Sequence, residues 1–160
     1  MKELEYALEL RKRGLYKESN KKLQELVKFY KEDATINYHT AVSFDLLGDE
    51  RKAVPYYEKA IQLGLNNEDL QGAFIGLGST YRTLGEYVKA KEVLKKGMEE
   101  FPENRALQTF YAMTMYNLKE YQKAMEILLK CLIETTTDPN LLQYKRAIEF
   151  YSTQLDQIWE

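Results

Sequence analysis

A short sequence pattern repeats four times along this chain, and it constrains the fold more than any other feature. The pattern begins with a tripeptide, and successive copies start 34, 37 and 34 residues apart. The four tripeptides are Gly14-Leu15-Tyr16, Gly48-Asp49-Glu50, Gly85-Glu86-Tyr87 and Lys119-Glu120-Tyr121. A fixed period of roughly 20–50 residues is typical of proteins that stack one small structural unit. The 160-residue chain is therefore predicted to stack four similar units.

Each tripeptide is followed by three side chains at steps of four and three residues. Side chains with this spacing share one face of an α-helix. The four sets are Ser19/Leu23/Leu26, Ala53/Tyr57/Ala60, Ala90/Leu94/Gly97 and Ala124/Leu128/Cys131. Small residues dominate the outer two positions of each set, which indicates that another helix comes close there.

A second helical stretch precedes each tripeptide, and it is clearest in the third unit. There the pattern consists of Phe74, Leu77, Gly78, Tyr81 and a closing Pro102. This resembles the tetratricopeptide repeat, with Phe74 in the position that the family fills with tryptophan, here called the Trp position. The second and fourth units fit less well at their start, because an asparagine (Asn37) and a glutamine (Gln108) occupy that position.

The resemblance implies an all-α fold, a right-handed α-superhelix (solenoid) of four tetratricopeptide helix pairs plus a C-terminal helix. The repeats are predicted at about 1–33, 34–67, 71–104 and 105–138 of a single domain, 1–160, and the C-terminal helix at 139–158. The individual helices are predicted over 1–13, 16–31, 34–47, 50–63, 68–84, 87–101, 104–117, 121–135 and 139–158. Asp33, Asn67 and Asp138 are predicted N-cap residues, since their side chains can accept hydrogen bonds from the first helical turn.

Within this superfamily, the chain resembles the small stand-alone bacterial tetratricopeptide proteins. The resemblance runs from Ala41 to Tyr151 and includes Gly48-Asp49-Glu50, Gly76-Leu77-Gly78-Ser79-Thr80-Tyr81 and Tyr144-Lys145-Arg146-Ala147. It implies a protein–protein interaction module that forms homodimers in the bacterial cytoplasm and has no established chemistry.

Charge balance and apolar patterning argue against several classes of protein. Lys and Arg number 23 against 25 Asp and Glu, which gives a net charge of −2. Nucleic acid is not an expected partner, because duplex binding depends on clustered cationic charge. The first five residues lead into no apolar stretch, and the chain has no run of 18 apolar residues, so neither a signal peptide nor contact with a membrane is expected.

His39 and Cys131, the single histidine and the single cysteine, are the obvious candidates for catalytic chemistry. They lie two repeats apart, and a solenoid keeps distant repeats apart in space. We interpret Cys131 as a buried apolar thiol and His39 as a surface or interhelical side chain. Zinc requires several Cys or His ligands at fixed spacing. The sequence therefore predicts no enzymatic activity, no metal and no cofactor.

The first helix of each unit is predicted to line the concave groove of the superhelix. Side chains one, five and eight residues beyond the Trp position project about 100° away from the core face, into that groove. The predicted partner-binding residues, here called the groove residues, are Leu8, Arg11, Tyr38, Val42, Asp45, Ile75, Ser79, Arg82, Thr109, Met113, Tyr116 and Phe150. Tyr38 is predicted to be the central anchor, because it is aromatic and lies near the middle of the row.

A largely apolar groove suits an amphipathic helix or an extended apolar segment. Relatives that hold a C-terminal carboxylate carry Lys and Asn at the first groove positions, where this chain has Leu4 and Leu8, so such a clamp is not expected. The first hypothesis is capture of an apolar or amphipathic peptide or helix of a protein partner. The alternative is a mainly structural homodimer or assembly subunit whose groove is occupied by the protein itself.

The predicted C-terminal helix is apolar on more than one face. One stripe is expected to cover the fourth repeat and consists of Leu141, Tyr144, Ile148, Tyr151, Leu155, Ile158 and Trp159. Leu142 and Phe150 fall outside this stripe, and a helix that is apolar on several faces is usually covered on several faces. This helix is therefore the predicted contact of a homodimer.

Overall fold

The computed structural model describes residues 2–159, and within this range the chain forms ten helices and no strand. The helices are α1 (Lys2–Lys12), α2 (Tyr16–Phe29), α3 (Ala34–Asp45), α4 (Glu50–Leu63), α5 (Asn67–Thr83), α6 (Tyr87–Glu100), α7 (Arg105–Asn117), α8 (Tyr121–Thr135), α9 (Pro139–Gln143) and α10 (Lys145–Ser152). The bounds of the first eight agree with the prediction to within two residues. The predicted helix start at residue 1 lies outside the described residues.

The first eight helices pack as four successive pairs. We call α1, α3, α5 and α7 the first helices, and α2, α4, α6 and α8 the second helices. The second helices α2, α4 and α6 also pack against the first helix of the next pair, and α3, α5 and α7 contact one another in turn. Packing between neighbours along the chain is the arrangement of a solenoid, so the predicted fold class is confirmed. None of the helices in residues 2–159 is long and apolar enough to cross a membrane.

The repeated tripeptide forms the turn inside each helix pair. Its first residue has a left-handed backbone, with φ of 78° at Gly14, 73° at Gly48, 78° at Gly85 and 65° at Lys119. The next residue donates its N–H to a carbonyl five residues earlier, as Glu120 does to Met115 at 2.9 Å. This bond closes the end of the first helix. Glycine adopts the left-handed conformation without steric strain, which explains its place at the start of three tripeptides.

Small residues determine how closely the two helices of a pair approach. Gly78 of α5 faces Leu94 of α6, and a Cβ atom at Gly78 would overlap the Leu94 side chain. The other first helices place an alanine at this position, and all three are 0% exposed: Ala7, Ala41 and Ala112. Between one pair and the next, α6 packs against α7, and a Cβ at Gly97 of α6 would lie 2.9 Å from the side chain of Leu107 in α7. The expectation that small residues admit a neighbouring helix is confirmed.

The two poorly matching Trp positions have a physical explanation. The Asn37 side chain donates to the carbonyl of Lys31 at 2.9 Å, and the Gln108 side chain donates to the carbonyl of Pro102 at 2.7 Å. In both cases the acceptor lies six residues earlier, in the loop that precedes the helix. Phe74 fills the same position by packing, at 2% exposure. An amide thus ties the loop to the first helix in the second and fourth units, where the aromatic residue is missing.

Asparagine and aspartate begin several helices, as predicted. Asp33 and Asp138 are confirmed as N-caps of α3 and α9, because their side chains accept backbone N–H bonds of the first turn. The prediction of Asn67 is wrong: Asn66 is the N-cap, and its Oδ1 accepts from the backbone N–H of Asp69 at 3.0 Å. The shift arises because α5 begins one residue earlier than the predicted helix.

The prediction of one continuous C-terminal helix over residues 139–158 is wrong. The chain instead forms α9 and α10, separated by Tyr144, whose backbone has φ −103° and ψ 12°. The Tyr144 N–H bonds to the carbonyl of Leu141, three residues earlier, so the regular helical bonding pattern breaks at this point.

The end of α10 also differs from the prediction, because the helix stops at Ser152. The Ser152 hydroxyl donates to the Glu149 carbonyl at 2.7 Å, and the Gln154 side chain donates to the Phe150 carbonyl at 3.2 Å. Such local side-chain bonds compete with continuation of the helix.

The predicted C-terminal stripe covers the fourth repeat only in part. α10 packs against α8, and Leu141 and Ile148 are half-buried. The other members are exposed by 43–83%: Tyr144, Tyr151, Leu155, Ile158 and Trp159. These side chains do not form one covering face, since residues after Ser152 no longer follow the helix.

Replacing Gly78 by leucine tests the helix contact. Gly78→Leu is expected to lower the free energy of unfolding by about 1–3 kcal/mol, because the new side chain must displace the fully buried Leu94. Urea denaturation followed by circular dichroism measures the change. The control Ala106→Leu adds a leucine at an exposed position of α7 and should change stability by less than about 0.5 kcal/mol. Equal stability of Gly78→Leu and wild type would contradict the assigned register.

Candidate binding groove

The groove residues lie on all four first helices and on α10. Ten of them are half-buried: Leu8, Arg11, Tyr38, Val42, Asp45, Ile75, Ser79, Arg82, Thr109 and Met113. The other two, Tyr116 and Phe150, are 62% and 52% exposed. Several of the polar groove residues make contacts at the junctions between successive first helices.

At the junction of α1 and α3, the Arg11 guanidinium donates to Nδ1 of His39 at 3.5 Å. The Tyr38 ring lies beside it, with its centroid 5.1 Å from that of His39 and 6.2 Å from that of Tyr57. The Tyr38 hydroxyl reaches α5, where a Cβ at Gly72 would overlap it. Tyr38, the predicted anchor, is therefore wedged between two first helices and also supports their packing.

His39 is neutral at physiological pH. Burial and the adjacent Arg11 charge lower its pKa from 6.5 to about 4, against a smaller opposing effect of Asp69. A neutral ring leaves Nδ1 free to accept the Arg11 hydrogen bond. The interpretation of His39 as an interhelical side chain is confirmed.

At the junction of α3 and α5, Asp45 is fully engaged by the protein itself. One carboxylate oxygen accepts from the Tyr57 hydroxyl at 2.7 Å, and the other accepts from the Thr80 hydroxyl at 2.9 Å. Burial raises the pKa of Asp45, and the two hydrogen bonds partly oppose this effect. The Asp45 carboxylate therefore holds α3, α4 and α5 together.

At the junction of α5 and α7, Arg82 donates from Nη1 to the side-chain oxygen of Asn117 at 3.3 Å. The nearby Tyr116 ring packs edge-on against Tyr121 of α8, with centroids 5.1 Å apart. Arg82, like Arg11 and Asp45, thus links one first helix to the next.

We call these three bonds the inner bonds: Arg11–His39, Asp45–Thr80 and Arg82–Asn117. Repeat spacing identified the residue eight beyond the Trp position in each case. It missed the partners His39, Thr80 and Asn117, because each occupies a different position within its own repeat. No common spacing in the sequence marks them.

The two groove arginines retain unused hydrogen-bond donors. Arg11 Nη1 and Arg82 Nε are buried and have no acceptor among residues 2–159. Within the same range, neither guanidinium forms an ion pair with a carboxylate. Buried donors without acceptors are costly, so these two atoms offset part of the stability that the inner bonds contribute.

An apolar cleft of about 460 Å³ lies at the C-terminal end of the row. We call it the C-terminal cleft, and it is lined by Arg82, Ala112, Met113, Tyr116, Asn117, Tyr121, Ala124, Met125 and Leu128. Arg82 is the one charged residue in this lining. Sequence reasoning found three of these residues on the first helices, Arg82, Met113 and Tyr116. It missed Met125 and Leu128, since α8 was expected to be covered on that side.

The thiol of Cys131 is buried, as predicted, but it has a polar neighbour. Its Sγ donates to the side-chain oxygen of Gln108 at 3.0 Å, and the residue is 7% exposed. Burial raises the pKa of the thiol, which disfavours the nucleophilic thiolate.

The lowered pKa of His39 predicts a pH-dependent stability. Below pH 6.5 the unfolded chain protonates this histidine, whereas the folded chain keeps it neutral down to about pH 4. The unfolded state therefore binds more protons, and stability falls as the pH falls through this window. Between pH 7 and pH 5, wild type should lose about 1–2 kcal/mol more than His39→Gln, measured by urea denaturation. Equal losses of stability in wild type and His39→Gln would contradict the lowered pKa of His39.

Comparison with known proteins agrees with this architecture. BBSome complex member BBS4 from Bos taurus is 32% identical over 126 residues, which make up 79% of this chain and 23% of that protein. The chain thus spans about a quarter of the length of this relative.

Two solved structures share the fold. MamA from Desulfovibrio magneticus RS-1 superimposes with a TM-score of 0.73 at 20% identity, covering 95% of this chain and 82% of that one. YrrB, a TPR protein with an unusual peptide-binding site, gives 0.72 at 19% identity, covering 88% and 71%. Residues 34–155, most of the chain, match the tetratrico peptide repeat family directly. The chain therefore belongs to the tetratricopeptide repeat family.

Proposed function

We propose that this protein is a non-enzymatic interaction module that binds an apolar or amphipathic peptide or helix of a protein partner in the groove of the first helices. The observation that carries the proposal is the row of half-buried apolar side chains from consecutive first helices: Val42, Ile75 and Met113. Apolar rows that are left partly uncovered on a protein surface commonly mark binding sites. The peptide-binding site of the structural neighbour YrrB supports the same mode of action.

The state of the two candidate catalytic residues supports a non-enzymatic role. His39 accepts a hydrogen bond from Arg11, and the Cys131 thiol is buried against Gln108. Each side chain therefore has a structural partner. The near-neutral net charge favours a protein over a nucleic acid as the ligand, and the resemblance to bacterial tetratricopeptide proteins favours a cytoplasmic location.

A second candidate function is a structural homodimer or a subunit of a larger assembly. Exposed aromatic side chains at the C-terminal end favour it: Phe150, Tyr151 and Trp159 are 52%, 49% and 56% exposed. The Phe150 ring lies 5.7 Å from the Trp159 ring, so these side chains form one cluster. The relative BBS4 is a member of a complex, which supports the same alternative.

Substitution of Met113 tests the groove. Met113→Glu places a charge in the apolar row and is expected to abolish recovery of the native partner in affinity purification with mass spectrometry. Met113 is the sharper probe than Tyr38, because Tyr38 also supports the packing of α3 against α5. Circular dichroism melts establish that the variant remains folded.

The matched control is Val88→Glu, which introduces the same charge at a 62% exposed apolar position of a second helix, α6. It should leave recovery unchanged. Retention of the partner by Met113→Glu at wild-type yield would show that the groove is not the binding site.

A further inference from the structure

Each second helix carries one large apolar residue at the middle position of the three that follow the tripeptide. In the first three repeats the following first helix covers this residue. Leu23, Tyr57 and Leu94 are 0%, 3% and 0% exposed. They pack with residues of the next first helix: Ile36 of α3, Leu77 of α5 and Leu107 of α7. The fourth counterpart, Leu128, is 37% exposed, and the adjacent Met125 is 47% exposed.

The C-terminal segment does not replace the missing cover. α5 and α7 each pack against both helices of the preceding pair, whereas α10 packs against α8 without comparable packing on α7. The space between α7 and α8 remains open as the C-terminal cleft. Its lining includes Leu128, the counterpart of residues that a following first helix covers in the other three repeats.

The charge of the cleft indicates what kind of helix fits. Its one charged lining residue, Arg82, has a buried Nε without an acceptor among residues 2–159, while its Nη1 is held by Asn117. Arg82 as a whole is half-buried at the cleft, so its positive charge and its remaining donors match a carboxylate there.

We propose that the C-terminal cleft is a seat for an amphipathic helix of a protein partner, bound in the position of a further first helix, with its apolar face on Met113 and Leu128 and an acidic side chain on Arg82. This inference rests on the proposed function, since it specifies where a captured helix binds and which charge it carries. The α10 helix of a second copy fits less well, because it begins with Lys145 and Arg146, which carry the same charge as Arg82.

Labelled model peptides test the seat. The probes are three synthetic amphipathic helices of about four turns with the same leucine face and with Glu, Gln or Lys at every polar position. Fluorescence anisotropy against the full chain measures their affinities. The Glu peptide should bind at least about tenfold more tightly than the Lys peptide, and Arg82→Gln should remove its advantage over the Gln peptide. Arg51→Gln, at an exposed position of α4, is the matched control and should preserve the advantage.

Two further variants separate the seat from the rest of the groove. Leu128→Gln alters only the cleft and should weaken the Glu peptide at least about tenfold, whereas Val42→Gln, at the other end of the row, should not. The reverse result would overturn the seat while leaving groove binding intact. Equal binding of all three peptides would overturn the acidic preference, and absence of binding by every peptide would overturn the seat for a helix. A fall in the anisotropy of the bound Glu peptide as the chain concentration rises to tens of micromolar, absent in Phe150→Glu, would assign the cleft to a second copy instead.

Discussion

Glycine or alanine at the crossing point of each helix pair allows the first helix to lie directly against a large side chain of the second. Gly78 meets Leu94 in this way, and Ala41 belongs to the same core cluster as Tyr57. The same large side chain packs on the next first helix, so a single position joins both helices of one pair to the following pair. The spacing of the whole stack, and therefore of the groove, depends on this contact.

The polar side chains of the groove stabilise the packing of successive first helices. Both carboxylate oxygens of Asp45 accept hydrogen bonds, one from Tyr57 and one from Thr80, so this side chain has little remaining capacity to bind a partner. Arg11 and Arg82 each make one inner bond and keep a further donor without an acceptor among residues 2–159. The groove therefore combines half-buried apolar side chains with two arginines, and its acidic residue, Asp45, already accepts hydrogen bonds within the protein.

Local repetition made most of the fold predictable. The tripeptides and the steps of three and four residues identify α1 to α8, because turn geometry and helix packing impose the same residue types in each unit. The C-terminal helix was mispredicted because its apolar spacing continues to Trp159, while the bonding at Tyr144 and Ser152 ends the helix earlier. Apolar spacing alone does not reveal where side chains compete with the next helical turn for backbone carbonyls.

The candidate site was predictable only in part, for a related reason. Periodicity places Arg11, Asp45 and Arg82 at equivalent positions, but their hydrogen-bond partners differ from repeat to repeat. The exposure of Leu128 depends on how α10 packs, which is a tertiary property without a sequence signal.

Whether the groove is open to a partner or occupied by the protein itself is the central question, and hydroxyl-radical footprinting of the purified chain addresses it most directly. The measurement is the modification rate of Met113 and Tyr116 as the protein concentration rises from below one micromolar to tens of micromolar. An open groove predicts rates that do not change with concentration, even if the exposed Phe150 and Trp159 become protected by association at the C-terminal end. Progressive protection of Met113 and Tyr116 would show that the chain fills its own groove, and it would contradict capture of a separate partner.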